Sequence, residues 1–381
     1  MTETIDILDR LVAFPTVSRT PNTELIDYVR GLLEGTGAEI SLVGEPDGSR
    51  VNLYATIGPR DRAGVLLSGH TDVVPVEGQA WTRPPFELTR GEGRLYGRGT
   101  TDMKGFCAAA LAAARRAGPL QTPLHLALSY DEEIGCVGVR SLIDQMGQAP
   151  HRPAMCIVGE PTGMAVATGH KGKRALRAIC TGREGHSALA PLAMNALHLA
   201  ADFITALREE QAHLAALGPR DDAYDVAYST VHAGIVRGGV QVNIVPNRAE
   251  VDWEIRHLAG DDPAAILARI RRRAAEIVLA AGDEAAGIEI VETGGYPGLD
   301  TAEASAVVDL AASLTGQNGT MKVAFGTEGG LFDQWLEIPT VVCGPGFMAQ
   351  GHTPDEFVAE EQLAACDAML DRLLGRLEHG L

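Results

Sequence analysis

The first 160 residues alternate short apolar runs with amphipathic stretches, and this alternation restricts the chain to a few layered folds. The runs AGVLLSGHTD (63–72), LHLALSY (124–130) and AMCIVGE (154–160) predict buried strands, and the Ala-rich stretch after Lys104 predicts a helix between the first two. Strands that alternate with helices form a mainly parallel sheet covered by helices on both faces. The first part of the chain is therefore predicted to be an α/β domain.

The pattern changes near residue 175, where strand-like and helix-like segments follow in the order β-α-β-β-α-β. This order is typical of a ferredoxin-like α+β domain, an antiparallel sheet with two helices on one face. The α/β pattern returns near residue 295, with helices predicted at 302–315 and 359–378. We therefore predict that a ferredoxin-like domain of residues 175–292 is inserted into an α/β domain formed by residues 1–174 and 293–381.

Composition and charge indicate which partners the protein does not bind and in which cellular compartment it is found. The formal net charge of −18 repels nucleic-acid backbones and anionic lipids, so neither is an expected partner. The N-terminus is acidic and amphipathic, unlike a signal peptide, and no apolar run approaches transmembrane length. The six cysteines form no C-x-x-C pair and are interpreted as reduced thiols. These observations predict a cytoplasmic protein.

Histidines and carboxylates recur where predicted strands end. The candidates are His70 and Asp72 in SGHTD, Asp102 in the Gly-rich loop GRGTTDMKG, Glu132 and Glu133 in YDEE, Glu160 in IVGE, and His352 in GHTPDE. Ligand sites in open α/β sheets lie outside the carboxyl ends of the strands. Burying several carboxylates there is costly without cations, and a His and carboxylate set suits zinc or cobalt. The sequence therefore predicts a two-metal site at this sheet edge.

Each of these signals is weak when taken alone. A His-x-Asp at a strand end is more often structural than metal-binding, and adjacent acids such as Glu132 and Glu133 usually mark a solvated loop. The Gly-rich loop before a helix is compatible with phosphate binding, although it lacks the G-x-x-x-x-G-K-[ST] pattern. The two residues of His70-x-Asp72 point to the same side of an extended segment, which suits a metal-bound imidazole held by a carboxylate.

A family resemblance is carried by nine motifs in order. They are GHTDVVP, WTRPPFELT…GRLYGRGTTDMKG, DEEIG, VGEPT, HKGK, EGHSA, VNIVP, TEGG and GHTPDEF. Together they resemble the M20 family of metallopeptidases and deacylases, from near residue 10 to the C-terminus. The resemblance implies a zinc-peptidase-like catalytic domain with two Zn²⁺ per subunit, for which Co²⁺ can substitute. Asp102 would bridge the ions and precede a cis peptide bond, His70 and Glu160 would bind one ion, and Glu133 and His352 the other.

The same resemblance implies roles for further residues. Glu132 would be the general base and Asp72 would orient His70, whereas His186 would stabilise the oxyanion across the interface of a homodimer formed through the inserted domain, which would also act as a lid. Asn243 and Arg256 would hold the carbonyl region and the α-carboxylate of the substrate, since the planar guanidinium binds both carboxylate oxygens. The alternative for Arg256 is a structural ion pair with Asp252 or Glu254 on the same strand.

The substrate is expected to be a small N-acyl amino acid. HKGK (170–173) and FGTEGGLFDQ (325–334) are most similar to acetylornithine deacetylases, which implies hydrolysis of N2-acetyl-L-ornithine to L-ornithine and acetate in arginine biosynthesis. Glu328 would select a cationic distal amine, or else be a solvent-exposed loop carboxylate. Alternatives are succinyl-diaminopimelate desuccinylase, another N-acyl-amino-acid deacylase, a dipeptidase, or an inactive relative that binds amino-acid derivatives. The retained general base Glu132 argues against the last.

Overall fold

The computed structural model describes residues 1–381, and the chain divides into two compact units. The discontinuous unit comprises residues 1–170 and 299–381, and the inserted unit comprises residues 171–298. The helices are α1 (Thr2–Val12), α2 (Thr23–Leu33), α3 (Lys104–Arg116), α4 (Val139–Gly147), α5 (Ala196–Leu217), α6 (Pro263–Ala281), α7 (Ala306–Thr315), α8 (Gly329–Leu336) and α9 (Glu360–His379), with 3₁₀ turns at Ser187–Leu192 and Met348–Gln350.

The strands are short and numerous. In chain order they are β1 (Glu39–Gly44), β2 (Val51–Ile57), β3 (Val65–His70), β4 (Thr89–Gly91), β5 (Arg94–Tyr96), β6 (Leu124–Ser129), β7 (Met155–Pro161), β8 (Val166–His170), β9 (Gly172–Thr181), β10 (Gly185–His186), β11 (Thr230–Gly238), β12 (Ile244–Val245), β13 (Arg248–His257), β14 (Gly287–Tyr296), β15 (Leu299–Asp300), β16 (Thr320–Val323), β17 (Thr340–Gly344) and β18 (Phe357–Ala359).

The discontinuous unit is built on a nine-stranded sheet in the order β1-β2-β6-β3-β7-β17-β8-β15, with β16 also paired to β8. Its centre, β6-β3-β7-β17, is parallel, and antiparallel pairs occur towards both edges. Strands β3 and β6 are buried along their whole length, which explains their continuous apolar sequences. The four parallel strands bring their carboxyl ends to one edge of the sheet.

Helices cover this sheet through a large apolar core. The Ala-rich α3 is buried over nearly all its length and packs against α1, α2 and α9. Small side chains allow this close approach of helices, and Phe106 fills the space against Gly159 of β7. Helix α4 packs over β1, β2 and β6, and α8 packs against α4. The predicted α/β fold, with a mainly parallel sheet, is confirmed.

The inserted unit has a four-stranded antiparallel sheet in the order β11-β13-β9-β14. Its chain order β9-α5-β11-β13-α6-β14 gives the predicted ferredoxin-like topology. Alternate side chains of β9 and β13, including Leu176, Val251 and Trp253, form the core with residues of α5 and α6. The unit boundaries, at 170/171 and 298/299, lie several residues outside those expected from sequence. The pattern change at 175 comes after β9 has begun, because β9 and β8 are separated by a single residue.

Several short elements are not evident from the sequence pattern. Strands β8, β15 and β16, helix α8 and the small sheet β4-β5-β18 are absent from the prediction. Each is too short for its period to stand out, and tertiary pairing stabilises it instead. No helix in the protein combines the length and apolar character that crossing a membrane requires.

Candidate metal centre

Four neighbouring strands deliver the candidate ligands to one place. His70 is the last residue of β3, Glu132 and Glu133 follow β6, Glu160 lies near the end of β7, and His352 follows β17. Because β6, β3, β7 and β17 are adjacent and parallel, the loops that follow them meet at the same edge. Asp102 enters this edge from the loop before α3, through a cis peptide bond to Met103, as the resemblance implies.

Asp102 lies between the two histidines. Its Oδ1 is 3.1 Å from Nε2 of His70, and its Oδ2 is 3.1 Å from Nε2 of His352. One glutamate approaches the same nitrogen of each histidine, with Glu160 Oε1 at 3.5 Å from His70 Nε2 and Glu133 Oε2 at 3.0 Å from His352 Nε2. The carboxylate of Asp102 therefore faces two separate His and Glu pairs, one through each oxygen.

The acids of this cluster are crowded and buried. Burial raises the pKa of Glu160 to about 8 and that of Glu133 to about 7, and the Asp102 carboxylate adds to both shifts. Burial and the Glu160 carboxylate raise the pKa of Glu132 well above its usual value. Hydrogen bonds to His352 and His70 outweigh burial at Asp102 and hold its pKa low. The cluster thus contains more acidic groups than two histidines can neutralise, so its glutamates retain protons when no cation is bound.

Two sets of side chains have ligand atoms within 4.8 Å of one another. One set is His70, Asp102 and Glu133, and the other is His70, Glu132 and Glu160. Glu132 thus lies as close to the ligands as a ligand does, and its carboxylate accepts a hydrogen bond from the buried thiol of Cys136 at 3.2 Å. Cys136 has a positive φ of 53°, which lets the turn after β6 bring its thiol back to this carboxylate.

Asp72 holds the loop that carries the two glutamates. Its Oδ1 accepts the backbone N–H of Glu132 at 3.0 Å, and its Oδ2 accepts the N–H of Glu133 at 3.4 Å and the hydroxyl of Ser18 at 2.7 Å. The Nδ1 of His70 is 2.9 Å from the carbonyl oxygen of Asp72 and 3.5 Å from its carboxylate. The main chain of Asp72 therefore orients the imidazole more closely than the expected carboxylate does, and directs Nε2 towards Asp102 and Glu160.

A second layer of polar contacts, absent from the sequence interpretation, supports the Asp102 and His352 loops. The buried Glu356 accepts the backbone N–H groups of Thr101 and Asp102 at 2.9 and 3.1 Å, and pairs with the buried Arg98 at 2.7 Å. Gln79 accepts a hydrogen bond from Arg98 and donates one to the carbonyl of His352 at 2.8 Å. The sequence did offer one indication of this layer, because Arg98 lies in the same motif as Asp102, and Glu356 lies in the same motif as His352.

The other expected site residues lie in the inserted unit. His186 is exposed on β10, its Nδ1 accepts the N–H of Ala188 at 3.1 Å, and the carbonyl of the adjacent Asn243 accepts the N–H of Ser187 at 3.1 Å. The structure therefore brings His186 and Asn243 together. Arg256, on β13, donates to Glu254 at 3.0 Å and to the hydroxyl of Tyr296 at 2.7 Å.

Glu328 is not an exposed loop carboxylate. It directly precedes α8 with 2% of its surface exposed. The hydroxyls of Ser68 on β3 and Ser129 on β6 donate to its two oxygens. Burial raises the pKa of Glu328 to about 7 despite these hydrogen bonds. The side chain lies beneath the strands that carry His70 and the two glutamates.

Known proteins resemble the chain over almost its whole length. It is 34% identical to the acetylornithine deacetylase of Myxococcus xanthus, covering 96% of this chain and 95% of the relative, and 31% identical to that of Pasteurella multocida, covering 98% and 97%. Its fold is similar to the metallo-carboxypeptidase Sso-CP2 of Sulfolobus solfataricus, with a TM-score of 0.78, 22% identity and 99% of each chain covered. Aminopeptidase PepT of Bacillus cereus gives a TM-score of 0.77 at 19% identity, covering 99% of this chain and 98% of its own.

Residues 66–376 match peptidase family M20/M25/M40, a span that includes His70, Asp102, Glu133, Glu160 and His352. The match and the relatives agree with the family expected from the nine motifs. The acids and histidines at the sheet edge supply the oxygen and nitrogen donors that a metal-dependent hydrolase needs. The chain belongs to peptidase family M20/M25/M40 and is a metal-dependent hydrolase that acts on amide bonds.

Proposed function

We propose that the protein removes the acetyl group of N2-acetyl-L-ornithine, giving L-ornithine and acetate, a step of arginine biosynthesis in the cytoplasm. The proposed substrate is supported by the 31–34% identity, over nearly the full length, to relatives named acetylornithine deacetylase. The six cysteines are all free and buried, in keeping with a reducing compartment.

The residues at the sheet edge fit two divalent cations. Asp102 presents one carboxylate oxygen to each His and Glu pair, as a bridging ligand requires. Glu133 Oε1 is buried and accepts no hydrogen bond, so a ligand atom remains available within the cluster. Nitrogen and oxygen donors suit Zn²⁺, with Co²⁺ as a substitute. We propose that His70 and Glu160 hold one ion, Glu133 and His352 the other, and Asp102 both.

Cations bound there would polarise the amide carbonyl and lower the pKa of the attacking water. Glu132 would take the proton of that water and pass it to the departing amine nitrogen, which makes it general base and then general acid. Asp72 would keep Glu132 in place through the backbone, and Cys136 would orient the carboxylate.

Substrate recognition would draw on the inserted unit. Arg256 would bind the α-carboxylate, and Asn243 the carbonyl region. The Glu254 and Tyr296 contacts support this role for Arg256, because they fix the guanidinium while one of its N–H edges stays available. Glu328 would act on a cationic distal amine through the electrostatic field of its buried carboxyl, since both of its oxygens already accept serine hydroxyls.

We further propose a homodimer in which His186 of one subunit stabilises the oxyanion at the site of the other. His186 is exposed, and the neighbouring segments present large apolar side chains to solvent, with Leu192 73%, Val240 91% and Ile244 43% exposed. A cluster of exposed apolar side chains of this kind is typical of an interaction surface. In a two-fold dimer each subunit would complete the site of its partner.

A substrate panel tests the proposed reaction. The zinc-loaded and cobalt-loaded protein is assayed with N2-acetyl-L-ornithine, N-succinyl-L,L-diaminopimelate, N-acetyl-L-leucine and a dipeptide, with kcat/KM as the readout. We expect the highest kcat/KM for N2-acetyl-L-ornithine. A higher kcat/KM for another compound would reject N2-acetyl-L-ornithine as the preferred substrate, but would still agree with metal-dependent amide hydrolysis. No turnover of any compound by fully metal-loaded protein would favour an inactive binding protein.

Subunit exchange between two inactive variants tests the role in trans. His186→Ala and Glu132→Ala should each lose activity, by a factor on the order of 10²–10³ for the oxyanion donor. Random exchange makes about half of the dimers mixed, each with one intact site of two, so activity should return to roughly a quarter of wild type. A mixture that exchanges subunits, as monitored by mass spectrometry, and stays inactive would reject the role of His186 in trans.

A further inference from the structure

The turn that follows β6 is held in place by side chains from other segments. Strand β6 ends at Ser129, and the next N–H, that of Tyr130, donates to the side chain of the buried Asn52 at 3.2 Å. Further along the turn, Asp72 accepts the backbone N–H groups of the two adjacent glutamates. Asp131 lies between these two attachments and takes part in neither of them.

Asp131 is an acid whose two oxygens are both occupied by the chain itself. It is buried, with 2% of its surface exposed, and its Oδ1 accepts the N–H of Arg19 at 2.6 Å while its Oδ2 accepts the guanidinium of Arg50. Its φ of 52° lies in the left-handed region, which is uncommon for residues other than glycine and persists where surrounding contacts hold it. The carboxylate of Asp131 is therefore placed to fix the backbone, and not to bind a cation.

Arg50 links this turn to the hairpin of β1 and β2. It directly precedes β2, its side chain is 22% exposed, and its guanidinium lies 3.5 Å from Glu45 and 5.7 Å from the centre of the Tyr130 ring. The hydroxyl of Tyr130 donates to Glu45 at 3.3 Å. Arg50 thus contacts both residues that come before the first glutamate, and its bond to Asp131 is charge-assisted and therefore stronger than a neutral hydrogen bond.

The rest of the turn closes back on the same point. The carbonyl of Asp131 accepts the N–H of Val137 at 3.0 Å, and the carbonyl of Glu132 accepts the N–H groups of Gly135 and Cys136 at 2.8 and 2.7 Å. Because these bonds tie both ends of the turn to Asp131 and Glu132, a displacement of Asp131 also displaces Glu132.

We propose that the ion pair of Arg50 and Asp131 positions Glu132 for proton transfer. Neither residue touches the metal centre or the substrate, and both act through the backbone of the turn, which aims the Glu132 carboxylate at the attacking water. The inference rests on the proposed role of Glu132 as general base. It predicts that loss of the pair slows the chemical step and leaves substrate binding almost unchanged.

Turnover at saturating zinc tests the pair, with the compound of the substrate panel that the wild type hydrolyses fastest. Arg50→Ala and Asp131→Asn should each lower kcat by about 10–100-fold with KM changed by less than about threefold, because a misplaced general base impairs the reaction and not the binding. Zinc content should remain complete. Asn tolerates the left-handed backbone, so Asp131→Asn removes the charge without adding strain.

Three further variants separate positioning from a general loss of structure. The double variant of Arg50→Ala and Asp131→Asn should be no slower than the slower single variant, since the two residues act as one unit. Arg50→Lys should keep kcat within about threefold of wild type, because one guanidinium nitrogen makes the bond to Asp131 and an ammonium can replace it. Arg116→Ala, which removes an ion pair with Asp371 in the same unit, is the matched control with kcat within about twofold.

Hydrogen exchange measured by mass spectrometry gives a readout that needs no turnover. In zinc-loaded Arg50→Ala, the amides of residues 131–137 should exchange about tenfold faster than in wild type, whereas those of β3 and β7 should not change. The inference is overturned if both single variants keep kcat within twofold, if kcat falls only in proportion to lost zinc, or if exchange in the turn is unchanged. A wild type that hydrolyses no compound of the panel would refute the proposed function instead, and the exchange rates would still decide whether the pair holds the turn.

Discussion

The two units differ in whether their carboxylates are neutralised by positively charged side chains. On the sheet of the inserted unit, carboxylates face guanidinium groups: Asp252 lies 2.5 Å from Arg177 and 2.8 Å from Arg237, and Glu292 lies 2.5 Å from Arg174. At the sheet edge of the discontinuous unit, Asp102, Glu133 and Glu160 pair with only two histidines and are buried. The first set is neutralised by the chain itself, and the second calls for cations from outside. Charge balance, more than residue type, separates a structural face from a metal centre.

The largest expected effect concerns the one acid of the cluster to which we assign no metal. Glu132→Ala should retain both metals and lose turnover by a factor of about 10²–10⁴, because the general base is removed while the ligands remain. Metal content by plasma mass spectrometry and kcat on N2-acetyl-L-ornithine measure the two quantities, and Asp102→Ala is the contrasting variant, which should lose metal. Loss of metal from Glu132→Ala would show that Glu132 is a metal ligand and not the general base.

The next effect concerns the supporting layer. Glu356→Gln should weaken metal binding by about 10–100-fold, because the amide NH₂ opposes Arg98 and disturbs the carboxylate that holds the Thr101 and Asp102 N–H groups. Competition against a fluorescent chelator measures the affinity. Glu360→Gln is the control, since Glu360 pairs only with the exposed Arg90 and should leave the affinity unchanged. Equal affinities for the two variants would show that Glu356 does not position the site.

Stability against pH sharpens the contrast between the units. In the metal-free protein, Glu160 and Glu133 have folded pKa values of about 8 and 7, above those of the unfolded chain, so the folded state holds extra protons. The free energy of unfolding should therefore fall as pH rises from about 5 to 8, by about 1.4 kcal/mol per pH unit for each extra proton.

Denaturant unfolding of chelated and zinc-loaded protein at pH 5.5, 7 and 8.5 measures this dependence. The histidines act in the same direction, because their raised pKa values also favour the folded state at lower pH. Bound zinc should remove the decline, since its charge replaces the protons. A metal-free protein that gains stability across this range would contradict the retained protons inferred for the glutamates of the cluster.

The smallest expected effect tests whether Arg256 binds the substrate or only forms a structural ion pair, as the other arginines of this sheet do. Arg256→Lys should lower kcat/KM by roughly threefold to tenfold for an N-acetyl amino acid, because a point charge replaces the planar fork. The loss should shrink for the corresponding amide, which lacks the carboxylate. Arg177→Lys, at a pair on the same sheet, is the matched control with an expected change below twofold. An equal loss on acid and amide would leave Arg256 with the structural role of its neighbours.

The sequence predicted those parts of the molecule whose location follows from local hydrophobic patterns. His70, Glu132 and Glu160 follow long apolar runs, so their common sheet edge could be predicted, and the two period changes marked the inserted unit. The contact between Arg98 and Glu356 joins residues 258 positions apart, and nothing in either segment requires the other. Such contacts depend on how elements pack, which local periodicity does not encode.

The order of the sheet has a consequence for synthesis on the ribosome. Strand β17 lies hydrogen-bonded between β7 and β8, yet the whole inserted unit is translated before it. Until residue 344 has emerged, the nascent chain holds β7 and β8 with the open edges that β17 later occupies, and open edges are where strands from other chains pair. The inserted unit has its own core and can fold during this interval. Because His352 emerges later still, the metal centre is completed only after the inserted unit and β17 have been made.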